Sequence, residues 1–212
     1  MHIYWYGLSS FKIVTKDVTI FTDPFGKAAG PTPPRGAGSL VIVSDPESEL
    51  ANNTSSISGE PFIIDGPGEY DVKGVVVRGI PEGSSAKGDS INNKAIYTIG
   101  AEGIHLGFLG NVKAKLTDTQ LEDLNDVNIL LVPVGNNEVM DAETAVAVVN
   151  QLEPNVVIPM YFKTPGITTK LESADKFIKE VGAKAEEMDK LLIKASEFTE
   201  EKTRLVLLKP QR

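Results

Sequence analysis

The sequence predicts a mixed α/β fold in which two β-sheets pack together with helices outside. Three observations predict it. The first half reads as short apolar strands punctuated by glycine and proline, and the second half alternates strand and helix periods. The total of apolar strand is what two packed sheets flanked by helices would bury.

Residues 3–6, 11–15 and 18–22 are rich in β-branched and aromatic side chains and are separated by Gly7-Leu8-Ser9-Ser10 and Lys16-Asp17. Asp23-Pro24 closes the third, because the residue before proline is held extended and proline cannot continue a ladder. Residues 26–38, GKAAGPTPPRGAG, are too proline-rich for a helix and read as a mobile cover. Residues 40–43 are uniformly apolar, as a strand buried on both faces should be, and stop in the acidic turn Ser44-Asp45-Pro46-Glu47-Ser48-Glu49-Leu50. Segments 62–64, 70–72, 75–78, 95–99 and 104–109 continue the strand series, with turns at Gly66-Pro67-Gly68 and Gly74.

The period then changes. Thr117-Asp118-Thr119-Gln120 has capping-box form, and Leu121 and Leu124 give the following helix its buried side. Residues 127–132 read as a buried strand. Asp141 can cap the next helix, in which Ala145, Val148, Val149 and Leu152 follow helical spacing until Pro154. A strand over 156–160 follows, then a helix with Ala174, Phe177, Ile178 and Val181 on one face and Gly182 at its stop. Segments 191–194 and 205–208 finish as strands, and with no low-complexity linker the expectation is one domain over residues 1–212.

Composition narrows the function classes. Hydrophobic residues make up 41% and charged residues 24%, enough for a sizeable core. A formal net charge of -8, with no basic stripe interleaved with aromatics, argues against nucleic-acid binding, because phosphates repel an acidic surface. The absence of cysteine removes disulfides, thiolate nucleophiles and Cys-bound zinc. No signal-peptide pattern opens the sequence and no apolar stretch reaches bilayer length, so a cytoplasmic location without membrane contact is expected.

A series of ordered anchors is more specific: Trp5-Tyr6-Gly7 with Ser10-Phe11, Thr22-Asp23-Pro24-Phe25, Val41-Ile42-Val43-Ser44 and Asp65-Gly66-Pro67-Gly68-Glu69-Tyr70. Arg78-Gly79-Ile80-Pro81, His105-Leu106-Gly107, Val132-Pro133-Val134-Gly135 and Ile158-Pro159-Met160 follow. Through these the chain resembles the metallo-β-lactamase-fold proteins, in the subgroup of Zn-dependent hydrolases related to the ascorbate-phosphate lactonases, from Ile3 to about Pro210. The resemblance implies a four-layer αββα sandwich whose active site lies at one rim. In working members the strand ending at Ser44 runs into a His-x-His-x-Asp-His motif, which holds zinc ions that acidify water to hydroxide. Here those positions read Asp45, Glu47, Glu49 and Leu50. Ser84 stands where a further histidine ligand is expected, Phe108 where the family has a metal-bridging aspartate, and Tyr161 where it has a final histidine. Leu8 replaces another histidine common beside the site. The substitutions imply that the ancestral zinc site is lost, that no cofactor replaces it, and that apolar and aromatic bulk fills its volume.

Other residues invite functional readings. Asp45, Glu47 and Glu49 could form a hard-cation site for Mg²⁺ or Ca²⁺, or a carboxylate pair for acid/base work; the plainer expectation is a solvated acidic turn in which Asp45 or Glu47 caps a following helix. His105 is expected to be a partly buried structural histidine, and Asp23 an organiser of backbone. Ser9, Ser10, Ser84 and Ser85 fall in no nucleophile-elbow pattern. The resulting reading is a metal-free, catalytically inactive homologue, a pseudoenzyme, serving as a binding or interaction module for a small ligand or a protein partner, a second copy included. The alternative is a hydrolase that still works, with an oxygen-ligated cation or no metal. A structural protomer that assembles with an active paralogue is a third reading.

Overall fold

The computed structural model describes residues 1–83, 93–198 and 203–211. Its first sheet has six strands in the order β15 (Leu191–Leu192), β1 (His2–Gly7), β2 (Ser10–Val14), β3 (Thr19–Thr22), β5 (Leu40–Ile42) and β7 (Phe62–Ile64). The second has eight, in the order β14 (Ala185–Met188), β16 (Arg204–Leu208), β13 (Val156–Met160), β12 (Ile129–Pro133), β11 (Ile104–Phe108), β10 (Ala95–Ala101), β9 (Val75–Pro81) and β8 (Gly68–Val72). Three helices, α1 (Asp118–Asp123), α2 (Ala142–Leu152) and α3 (Asp175–Val181), connect strands of the larger sheet.

Side-chain alternation drives the sheets together. Along β1, Ile3 and Trp5 point inward while His2, Tyr4 and Tyr6 stay partly exposed. The Trp5 ring lies 6.4 Å from Phe11 and 4.9 Å from Phe162, tying the first sheet to a loop that leaves the second. Every residue of β12 and β13 is buried, as parallel central strands covered on both faces require. Ala145, Val148 and Val149 supply the cover from α2. Buried residues of both sheets form one contiguous apolar cluster.

The other outer face is covered differently. Phe21, Val41, Val43 and Ile57 form a small separate cluster there. It lies under a parallel two-stranded ribbon, β4 (Gly36–Ala37) against β6 (Ile57–Ser58). No helix follows Asp45: the chain turns through Pro46 to a single 3-10 turn, Thr54–Ser56, so the expectation that Asp45 or Glu47 caps a helix is corrected. Residues 26–38 touch the rest of the chain at Ala28 and Ala29. Thr168 donates from its backbone to the Ala29 carbonyl at 3.1 Å and from its hydroxyl to Ala28 at 3.0 Å, and Ala29 and Phe25 are buried.

The helix signals operate as the residue types dictate. Thr117 accepts from the Gln120 backbone at 3.3 Å and Gln120 accepts from the Thr117 backbone at 2.9 Å, closing the capping box. Asp141 accepts from Thr144 at 2.8 Å, and Glu153 ends α2 in the left-handed region before Pro154. Most strand ends shift by one to three residues; Val127 belongs to the turn after α1, so the strand expected at 127–132 is Ile129–Pro133, and the strand expected at 191–194 is only Leu191–Leu192. Among the described residues no helix is long and apolar enough to cross a membrane.

Gln120 does more than cap. Its buried amide also donates to the Pro81 carbonyl at 2.7 Å and the Glu82 carbonyl at 3.1 Å, fastening α1 to the end of β9. Gln120→Ala should therefore cost about 2 kcal/mol in urea unfolding, against about 1 kcal/mol for Thr117→Ala, because it also leaves two carbonyls without a donor. Equal losses would mean that the bridge contributes nothing.

Candidate functional site

Parallel register brings the chain's polar loops to one rim. Thr22, Ile42 and Ile64 sit abreast across β3, β5 and β7, so Asp23, Val43 and Asp65 follow at one level, with Ser44 one residue beyond. Phe108 pairs with Leu131, and Pro133 with Met160, which brings Gly110, Gly135 and Tyr161 out at the end of the second sheet. Ligand sites of open α/β sheets favour such carboxyl ends of strands. The two rims are stitched together: Tyr97 donates its hydroxyl to the Val43 carbonyl at 2.9 Å, Ala95 donates to Ser44 at 3.0 Å, and Tyr161 donates to Leu8 at 3.0 Å.

The backbone at this rim is held in uncommon conformations. Leu8, Asp23 and Tyr161 have φ of 49°, 37° and 53°, left-handed values that cost a residue with a Cβ unless its surroundings enforce them. Gly110, at φ 58°, packs so closely on Ser44 that a Cβ there would collide with its side chain, and a Cβ on Gly135 would collide with the Tyr161 carbonyl.

Asp23 is fully buried and organises the turn after β5. Its carboxylate accepts from the Ser44 backbone at 2.7 Å and from the Ser44 hydroxyl at 2.6 Å, and the buried Ser9 hydroxyl lies beside it. Burial pushes its pKa up to about 7, against the opposing pull of the Ser44 bonds and of the neighbouring Ser9 hydroxyl. Burial first, and then the Asp23 charge, push the Tyr97 and Tyr161 phenols upward.

Asp45, the next residue after Ser44, is buried too, and it is paired. Its Oδ2 lies 2.7 Å from Lys94 Nζ and accepts from Asn111 at 3.1 Å, while Oδ1 accepts from the Glu47 backbone at 3.2 Å. The expectation of a solvated turn is thus corrected for Asp45 and holds for Glu47 and Glu49, whose side chains are exposed. The reason is a partner far away in sequence: the ammonium that neutralises Asp45 comes from the start of β10. Half-buried Glu82 stands near the same pair, and burial raises its pKa.

The remaining candidates separate. Leu8 and Phe108 are fully buried, Tyr161 nearly so, and Leu50 packs on the core. Ser84 and Ser85 lie outside the described residues. His105 is exposed on β11, contrary to the expectation of partial burial, because Ile104 and Leu106 take the buried positions of the strand. Among the described residues no group of three His, Cys, Asp or Glu side chains could hold a metal ion. The donor set does not suit zinc: hydrocarbon stands at Leu8, Leu50 and Phe108, Tyr161 is a phenol held protonated, and the Asp45 carboxylate is already engaged. Sequence reasoning missed Lys94, Asn111, Gly110 and Tyr97, each of which becomes relevant only through pairing across the sheets.

The Asp23 shift has a thermodynamic consequence. The folded state binds this proton more tightly than the unfolded chain, so the associated stability is fully present below the ordinary value of 3.8 and is lost as pH rises through about 7. Asp23→Asn, which keeps an acceptor for the Ser44 N–H and cannot ionise, should flatten the fall in stability between pH 4 and pH 8 seen in denaturant titrations, an effect on the order of a few kcal/mol. An unchanged slope would contradict this account of Asp23.

Comparison with known proteins agrees with the geometry. The family model of the beta-lactamase superfamily domain matches residues 2–161. A protein of Natranaerobius thermophilus named as a metal-dependent hydrolase is 28% identical over 142 residues, 66% of this chain and 62% of that protein, so this chain spans under two-thirds of that relative's length. A metal-dependent hydrolase of Salinibacter ruber is 24% identical over 215 residues, covering 86% of this chain and 94% of the relative. Among solved structures, a Thermotoga maritima protein assigned to the Zn-dependent hydrolases of the metallo-β-lactamase superfamily superposes with a TM-score of 0.79 at 27% identity, covering 98% of both chains. The metallo hydrolase Igni18 of Ignicoccus hospitalis shares the fold, with a TM-score of 0.68 at 15% identity over 100% of this chain and 96% of that one. With its sandwich, its rim of strand ends and these relatives, the chain belongs to the beta-lactamase superfamily and has the metallo-β-lactamase fold.

Proposed function

We propose that the chain keeps the scaffold of a metal-dependent hydrolase without its zinc centre, and serves as a binding or interaction module rather than as a catalyst. One observation carries this reading. The Asp45 carboxylate, at the position where the fold draws a zinc ligand, is bonded by Lys94 and Asn111, and no imidazole stands nearby to make a nitrogen-rich site. The occupant under this reading is a small polar or anionic ligand held at the rim, or a protein partner, a second copy included. A cytoplasmic location is part of the same proposal, in keeping with a chain without cysteine.

The names of the relatives favour a second reading. Both sequence relatives described above are called metal-dependent hydrolases, which supports a chain that still hydrolyses, with an oxygen-ligated cation at the rim or with no metal. In that case Asp45 would have to exchange its ammonium partner for a cation such as Mg²⁺ or Ca²⁺, which prefer oxygen donors.

Elemental analysis of protein produced in zinc-supplemented medium, combined with assays on lactone, phosphodiester and β-lactam substrates, separates the two. The first reading predicts substoichiometric metal and no turnover above background; stoichiometric zinc, manganese or iron with turnover would sink it. A melting temperature that climbs with millimolar Mg²⁺ or Ca²⁺ by mass action would favour the second reading.

A further inference from the structure

We propose that Lys94 is a tethered cation, whose ammonium holds at Asp45 the place a metal ion would take and so keeps divalent cations out of this rim. This inference rests on the metal-free reading above and adds to it the residue responsible.

The geometry is specific. The Asp45 side chain is 6% exposed, and the ammonium sits 2.7 Å from its Oδ2. A carboxylate that deep is costly unless a charge and hydrogen bonds compensate it, and Lys94, Asn111 and the Glu47 N–H together do so. Neither partner has freedom to drift. Asp45 follows Ser44, which Asp23 grips through both carboxylate oxygens, and Lys94 precedes Ala95, whose N–H is bonded to the Ser44 carbonyl. The Lys94 carbonyl also accepts from Glu82 at 3.0 Å. The backbone itself therefore delivers the ammonium to the carboxylate.

The surrounding charges point the same way. After Asp45, Glu82 and Glu47 also favour the charged form of the Lys94 ammonium. Asp45 leads in holding the Lys94 pKa above its ordinary value, which keeps the ammonium charged throughout the neutral range. A divalent ion approaching Asp45 would have to displace a cation of like sign from a directional, charge-assisted bond. Lysine suits this role, being a compact point charge on a stem long enough to cross between the sheets.

The test uses the full chain, freed of metal with chelator, and reads melting temperature and calorimetric binding of Ca²⁺ and Mg²⁺ alone. Wild type should be indifferent to millimolar ion. Lys94→Met should melt several degrees lower in chelator, recover with millimolar Ca²⁺ or Mg²⁺, and bind one of them at least roughly tenfold more tightly than wild type. Lys94→Arg, which keeps the charge, should behave like wild type. Asp45→Asn/Lys94→Met, which removes both charges of the pair, should melt above the single variant and lose the response to ion. If Lys94→Met does not fold in chelator, folding of the double variant under the same conditions supports the proposal, and failure of both overturns it. A Lys94→Met protein as stable as wild type and blind to both ions also overturns it. Stoichiometric metal in wild type would instead overturn the metal-free reading, a result visible without any variant.

Discussion

A carboxylate placed in a protein interior must find a compensating charge or give up its own, and the rim of this sandwich meets both demands on adjacent loops. Asp45 finds a charge in Lys94 at 2.7 Å. Asp23, with only hydroxyl and amide donors around it, is pushed up to about 7 and holds a proton through much of the acidic range. Both arrangements meet at Ser44, which Asp23 grips through backbone and side chain and whose carbonyl receives Ala95. That residue joins the end of β5 in one sheet to the start of β10 in the other, and so sets Asp45 beside Lys94.

The frame around the rim resembles a site more than the side chains on it do. Three residues with a Cβ hold left-handed backbone there, and two glycines sit where no larger residue fits. Strain of this kind collects where a fold must aim groups at a ligand, and it persists because the surrounding packing enforces it. On that frame Leu8 and Phe108 present hydrocarbon and Tyr161 a phenol in place of imidazole or carboxylate. Function resides in the site and not in the sandwich, so membership of the superfamily is compatible with Asp45, Glu47 and Leu50 standing where the family resemblance leads one to expect imidazoles.

Much of the fold was legible because its signals are local. Alternation along β1, the capping box at Thr117, the Asp141 cap and Gly182 at the end of α3 all act within a few residues of chain. The role of Asp23 was legible only through the resemblance to a family that has an aspartate at that position beside the site. What stayed hidden was pairwise and distant. The strand Ala185–Met188 is charged at its edge and is held through Glu186 to Arg204 at 2.8 Å, a contact no periodicity announces. Asp45 looked like one of three solvated acids because Lys94, on another sheet, could not be placed beside it. His105 was misjudged because an apolar run around it suggested burial, whereas alternation gives the buried positions to Ile104 and Leu106.

The central claim, that an ammonium and not a metal satisfies Asp45, is tested most directly by anomalous diffraction from crystals grown with zinc. The account predicts Lys94 Nζ in bonding contact with the Asp45 carboxylate and no anomalous peak within coordination distance of it. A strong peak bound by that carboxylate, with the Lys94 side chain swung away, would contradict it.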